Sequence, residues 1–303
     1  MQRKMKSAQH HWWPRCVSKH WADEEGFTNW LSPDGNCKRI PHAKLGMIGN
    51  GHHIKFNDNP SVDSPFDTSF EKIFDEADRE FPSIINWLSS LNRTEIKDKN
   101  IKLRFIPEKA NDEQLRLLTE CAVSLAVRSP MNREASVSIA ESFRGPIPTR
   151  ERNALIGLNM RNSQRMIADS IGCNGKFAIL FTESKEFIFG DGIFNNISGC
   201  TNPPHNPKIL VALTPNISVI ISRPISYSTE PRISTITLNE SEVNDCNNGV
   251  QVYSKGAIFF RNEKPTAIDD FVLNQHRKYD TNNPLDFLIN SLPGVNSTRS
   301  LFY

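Results

Sequence analysis

Three short stretches of the chain carry residue types that do chemistry. The first is His10-His11-Trp12-Trp13-Pro14-Arg15. A neutral imidazole accepts a proton or ligates a metal near pH 7, because its ordinary pKa is ~6.5. The planar fork of Arg15 suits a phosphate or carboxylate. The bland alternative is a surface tail whose tryptophans cover the core. The second stretch is Arg128-Ser129-Pro130-Met131-Asn132-Arg133. Arg128 follows Leu125 by three residues, at the edge of an apolar helical stripe, so it is expected to be partly buried and to need an anionic partner. The turn at Pro130 brings Arg133 close, and two guanidinium groups near a helix end can grip an oxyanion. A structural salt bridge to a core acid is the other reading of Arg128. The third stretch is Phe187-Ile188-Phe189-Gly190-Asp191-Gly192. Asp191 stands at the end of an aromatic strand, where carboxylates often meet a ligand or metal, although Gly-Asp-Gly is also a plain turn.

Cysteines add one further pattern. Cys16-x3-His20 and Cys37-x4-His42 are two Cys/His pairs that a hairpin could bring together as zinc ligands. No CxxC occurs, and the six cysteines are widely and irregularly spaced, which points to free thiols in a reducing compartment. There is no phosphate loop, no GxGxxG, no HExxH and no GxSxG.

The net charge of +2 hides an asymmetry: residues 1–22 carry five basic residues and no acid, leaving the remainder at −3. Six of the eight histidines lie in the first 53 residues and four of the five tryptophans in the first 30, so any histidine chemistry is concentrated near the N-terminus. Such a basic, tryptophan-bearing stretch would also suit a nucleic-acid strand, tracking phosphates and stacking bases. Plentiful Leu, Ile, Val and Phe with balanced charge exclude wholesale disorder. No apolar run approaches the ~18 residues that span a bilayer, and the start lacks the apolar core of a secretory signal. The expectation is a cytoplasmic protein with no membrane partner.

The elements that must position these groups follow from periodicity and punctuation. Residues 1–9 read as a basic tail. Phe27 to Leu31, Pro33-Asp34-Gly35 and Cys37 to Ile40 read as a strand, turn and strand. Residues 41–65 read as a long loop. Helices are predicted from Ser69 to Leu91, with Pro82 as a kink, from Asn111 to Arg128, from about Met131 to Phe143, and over residues 150–171. Strands are predicted at Phe177 to Thr182, Glu186 to Phe189, Ile209 to Leu213 and Ser218 to Ser222, then a late helix from Asn248 to Arg261. The order predicts an α+β fold: an N-terminal β-hairpin, a helical middle, and a β-rich C-terminal half with a late helix. A single domain is expected over residues 10–262, with a loosely ordered tail over 263–303.

These segments, in this order, resemble the bacterial domain-of-unknown-function family 4238. The resemblance runs through His10-His11-x-x-Pro14-Arg15, Trp21-Ala22-Asp23, Arg128-Ser129-Pro130-x-x-Arg133, Phe187 to Gly192, Leu213-Thr214-Pro215 and Asn248-x-x-Gln251. It covers roughly residues 9–262. Where the family has Ser-Asp-Asn-Pro this chain has Gly190-Asp191-Gly192-Ile193, keeping only the acid. The resemblance brings no assigned reaction. It implies that the recurring polar residues form one site, with Asn248 and Gln251 in support.

The expected function is a hydrolase acting on a phosphate-bearing substrate, nucleic acid or nucleotide. His10 or His11 would be the base or a ligand to a divalent metal, and Arg15, Arg128 and Arg133 would hold the anion. Asp191 would orient the histidine or bind the metal. The alternatives are a non-catalytic nucleic-acid-binding module and an interaction domain with buried polar hubs.

Overall fold

The computed structural model describes residues 9–295 other than 50, 58, 60, 61, 63, 94, 97, 201 and 275–283. Of the expected basic tail over residues 1–9, residues 1–8 lie outside the described residues and Gln9 begins the strand Gln9–His11. The helices are α1 (Arg15–Ser18), α2 (Asp75–Ser89), α3 (Asp112–Arg128), α4 (Pro130–Arg144), α5 (Thr149–Ile171), α6 (Glu240–Tyr253), α7 (Asp269–Val272) and α8 (Pro284–Asn290). No helix among the described residues is long and apolar enough to cross a membrane.

The helical middle forms where periodicity and caps agree. The Asn111 side chain accepts a hydrogen bond from the Gln114 backbone N–H, and the Gln114 side-chain oxygen accepts one from the Asn111 N–H, closing a capping box at the start of α3. Leu115, Leu118, Ala122 and Leu125 are all buried, as their spacing predicts. Ser129 ends α3 and caps α4 by accepting from the Asn132 N–H, with Pro130 fixing the first turn. Arg128 and Arg133 therefore stand on either side of a sharp corner. A 3-10 turn, Glu71–Phe74, precedes α2, which contains Pro82. Proline has no N–H to offer the carbonyl four residues back. That carbonyl, of Asp78, instead accepts from the Cys16 thiol at 3.7 Å.

Two sheets follow. The larger has six strands in the order Phe194–Asn195, Lys208–Thr214, Ile217–Ser222, Lys176–Phe181, Ile233–Thr237, Ile106–Glu108. Its neighbours are antiparallel except for the parallel pair Lys176–Phe181 and Ile233–Thr237. Every residue of Ile217–Ser222 and Ile233–Thr237 is buried, so both faces of the sheet are covered. The second sheet has four strands, ordered Cys37–Pro41, Phe27–Leu31, Ile258–Phe260, Phe189–Gly190. The N-terminal hairpin is thus completed by strands from the far end of the chain. The fold is α+β, with strands at the start, helices in the middle and a strand-rich C-terminal half.

Several expectations are corrected. The late helix is Glu240–Tyr253, opened by a capping box between Asn239 and Glu242, and the apolar run Ile258–Phe260 behind it is a central strand of the second sheet. The expected strand over Glu186 to Phe189 shortens to Phe189–Gly190. Residues 41–65 contain two short strands, Met47–Gly49 and His53–Ile54. Residues 263–274 and 284–295 belong to the fold: Phe271 is fully buried, and α8 packs on α6 with Leu285, Leu288 and Ile289 in the core. Lys208 reaches Asp286 of α8 at 2.6 Å.

Gly190-Asp191-Gly192 passes directly against the end of α6. A side chain at Gly192 would overlap the Tyr253 carbonyl, and one at Gly190 would overlap the Ser254 hydroxyl. Between them the Asp191 carboxylate accepts the N–H groups of Lys255 and Gly256, at 2.9 and 2.8 Å. Replacing Gly192 with alanine should lower unfolding stability by more than about 3 kcal/mol, since backbone must move to admit the methyl. Gly49→Ala, where an added methyl meets nothing within 4 Å, should cost less than about 1 kcal/mol. Denaturant unfolding of the two variants checks the difference.

Candidate functional site

The histidine-bearing N-terminus is placed by aromatic packing. Trp13 stacks on Phe189 with ring centroids 4.4 Å apart and planes 2° apart. Trp21 meets both rings edge-on at 5.4 Å, and its indole N–H donates to the Phe187 carbonyl at 3.2 Å. Immediately before them, Gln9–His11 forms a strand paired with Met47–Gly49. Alternation along a strand sends neighbouring side chains to opposite faces. His10 accordingly turns inward and is 2% exposed, whereas His11 is half-buried on the other face.

Inward, His10 meets a second pair of histidines. Its ring centroid lies 4.7 Å from that of His52 and 4.5 Å from that of His53. His52 packs on Phe74 at 4.8 Å. The pairing of His53–Ile54 with Thr68–Ser69 carries Glu71 to the same place, where its carboxylate lies 3.6 Å from His10 Nε2. One ligand atom from each of His10, His52 and Glu71 lies within 4.8 Å of the others. Among the described residues this is the one such group of histidine, cysteine or carboxylate side chains.

The polar atoms here are poorly satisfied. Neither ring nitrogen of His10 has a hydrogen-bond partner, nor has Nδ1 of His52 or of His53. Burial, followed by the charge of Arg128, pushes the His52 imidazole down to about 2; burial and His10 push His53 to about 4. Burial also lowers His10, against the opposing pull of Glu71. The three imidazoles are neutral at pH 7. Arg133 reaches it from α4, donating to the Gly51 carbonyl at 3.0 Å. Burial and the neighbouring Arg152 hold its guanidinium down at about 10. No carboxylate pairs with Arg133 among the described residues, and its charge is felt at both His10 and His52.

The other expected site residues divide. The Arg15 Nε donates to His11 Nε2 at 3.2 Å, so the His11 ring carries its proton on Nδ1 and offers a donor. Burial first, then Arg15, lowers the His11 pKa. Arg128 is 1% exposed, bidentate to Asp78 at 3.1 and 2.7 Å, and lies over Phe74 at 4.7 Å. Its charge is answered within the protein, as the salt-bridge reading has it. Asp191 does not orient a histidine: its carboxylate faces the 255–256 backbone, and its carbonyl accepts from Met131 N–H at the start of α4. Asn248 is exposed on α6; buried Gln251 bonds the Thr266 carbonyl and Ile268 N–H, and so pins the chain leading to α7. The Cys16/His20 and Cys37/His42 pairs do not gather either. Cys37 is exposed, and the His42 ring sits on the Gly26 carbonyl at 3.0 Å. Trp12, Trp13 and Trp21 are in the core, which removes them as base-stacking platforms. Sequence reasoning missed His52, His53, Glu71 and Asp78. A second adjacent His pair within the same His-rich stretch was the available signal.

Because the buried histidines are neutral in the fold but charge when unfolded, the unfolded chain binds more protons below ~6.5. Stability should be greatest above that pH and fall steadily as the pH drops from ~6.5 toward 4. Melting temperatures across this range check it, and His53→Gln should flatten the slope. Asp78→Ala should cost about 2–3 kcal/mol by stranding the Arg128 guanidinium, less than a fully buried pair because Asp78 is partly exposed. Unchanged melting would remove Arg128 from the structural framework. No protein-family model, curated protein or solved structure matches the chain.

Proposed function

We propose that the protein is a hydrolase acting on a phosphate-bearing substrate, a nucleotide or nucleic acid, at the His10–His52–Glu71–Arg133 cluster. The observation that carries this reading is Arg133: a largely buried guanidinium with no carboxylate partner among the described residues, beside imidazoles with both nitrogens of His10 and Nδ1 of His52 and His53 unpartnered. Unanswered positive charge in a desolvated place is what an oxyanion needs, and there its attraction exceeds that in water. Arg133 holds a phosphoryl oxygen. The Nδ1–H of His11 and the free arms of Arg15 supply further donors at the more exposed edge. His10 and Glu71 stand together where a histidine with Asp191 was expected, and supply the groups that activate the water, as base or as ligands to a metal. The water oxygen bonds to phosphorus, the ester P–O bond breaks, the water proton passes to solvent, and the leaving oxygen takes up a proton from solvent.

The test is turnover of phosphomonoesters, phosphodiesters, nucleotides and single-stranded nucleic acid by wild type and Arg133→Met, each with and without added divalent metal. Wild type should hydrolyse one class. Arg133→Met should lose about 100-fold in kcat/KM, the usual effect of deleting one donor to a developing oxyanion. If no phosphate ester is turned over under any of these conditions, the reading fails.

A further inference from the structure

We infer that His10, His52 and Glu71 bind one divalent first-row transition metal, zinc foremost. This deepens the reading above, resting on the same cluster being the functional site. Three observations converge. The donor set is two imidazoles and one carboxylate, the complement of a catalytic zinc or non-haem iron site that keeps positions open for water. The spacing is close to that of a metal centre. Ligands about 2.1 Å from a tetrahedral zinc lie about 3.4 Å from one another. His10 Nε2 and Glu71 Oε2 are 3.6 Å apart, and the whole set lies within 4.8 Å. Glu71 is well placed to close the remaining gap, because its side chain is exposed and pairs only with His10 among the described residues.

The third observation is the orphaned polarity. His10 is 2% exposed, and neither of its ring nitrogens has a hydrogen bond. A buried imidazole with a bare lone pair is costly unless something accepts that pair. A cation between His10, His52 and Glu71 would do so. Arg133 then defines the ligand chemistry: a dication and a guanidinium side by side call for an anion bridging them. A phosphoryl group fills that place, with one oxygen on the metal and another on Arg133, and the open metal position lowers the pKa of a bound water.

The experiment uses the full chain, stripped with a chelator and titrated with Co2+ alone, then Zn2+ in competition. Wild type should take up one Co2+ per chain, with the intense visible absorption of a low-coordinate site that Zn2+ abolishes. Glu71→Gln should weaken uptake at least about tenfold while the circular dichroism spectrum is unchanged, since Glu71 is exposed. His52→Asn should weaken it likewise. Absence of Co2+ uptake by wild type, or wild-type affinity in both variants, overturns the inference. Metal uptake without turnover of any phosphate ester supports this inference while defeating the hydrolase reading. Full turnover in the presence of chelator, with no Co2+ uptake, does the reverse.

Discussion

The stack of Trp13 on Phe189 is the contact on which the arrangement depends. It joins residue 13 to residue 189, and with Trp21 and Phe259 it fastens the start of the chain to the second sheet. Among the described residues the strand Gln9–His11 has only the three residues Met47–Gly49 as partner. A two-stranded ribbon of that length is not stable by itself in water. Large aromatic rings bury roughly 150–250 Å² each, and their pairing adds about 0.5–1.5 kcal/mol beyond burial. The stack therefore supplies what the ribbon lacks, and it holds His10 and His11 in register beside the first turn of α2. The histidines near the N-terminus thereby become one wall of a site.

Charge compensation separates framework from site. Arg128 with Asp78, Lys55 with Asp67 and Lys208 with Asp286 are ion pairs in which at least one partner is deeply buried, and in each the charge is answered locally. Arg133 and the His10–His52–His53 group have no such answers among the described residues. Removing a charge or polar group from water without a partner costs several kcal/mol. Four ring nitrogens of three neighbouring buried histidines lack partners, beside a guanidinium with no carboxylate among the described residues, and this puts unmet demand where a ligand can meet it.

The fold was legible where local and global preferences agree. The middle helices announce themselves through caps and apolar periodicity, and Pro130 marks the corner between Arg128 and Arg133. Legibility fails where tertiary contacts decide. The run Ile258–Phe260 is strand because it lies between Phe27–Leu31 and Phe189–Gly190, both remote in sequence. Ile233–Thr237 escaped notice for the same reason, having parallel pairing with Lys176–Phe181 as its support. The site was half legible. His10 and Arg133 stand out by type, whereas Glu71 and His52 acquire meaning only once the short His53–Ser69 pairing folds them inward. Asp191 misled because its glycines are required by the close passage of the α6 end, which no local pattern reveals.

The central claim is that His10, His52, Glu71 and Arg133 form a single built site for a cation and an anion. It is tested most directly by diffraction at the zinc absorption edge from crystals grown with zinc and soaked in a phosphate analogue. The account predicts one anomalous peak within about 2.3 Å of a His10 nitrogen, a His52 nitrogen and a Glu71 oxygen, with the analogue between the metal and Arg133. A map with no peak there, His52 still packed against Phe74 and no analogue on Arg133, would contradict it.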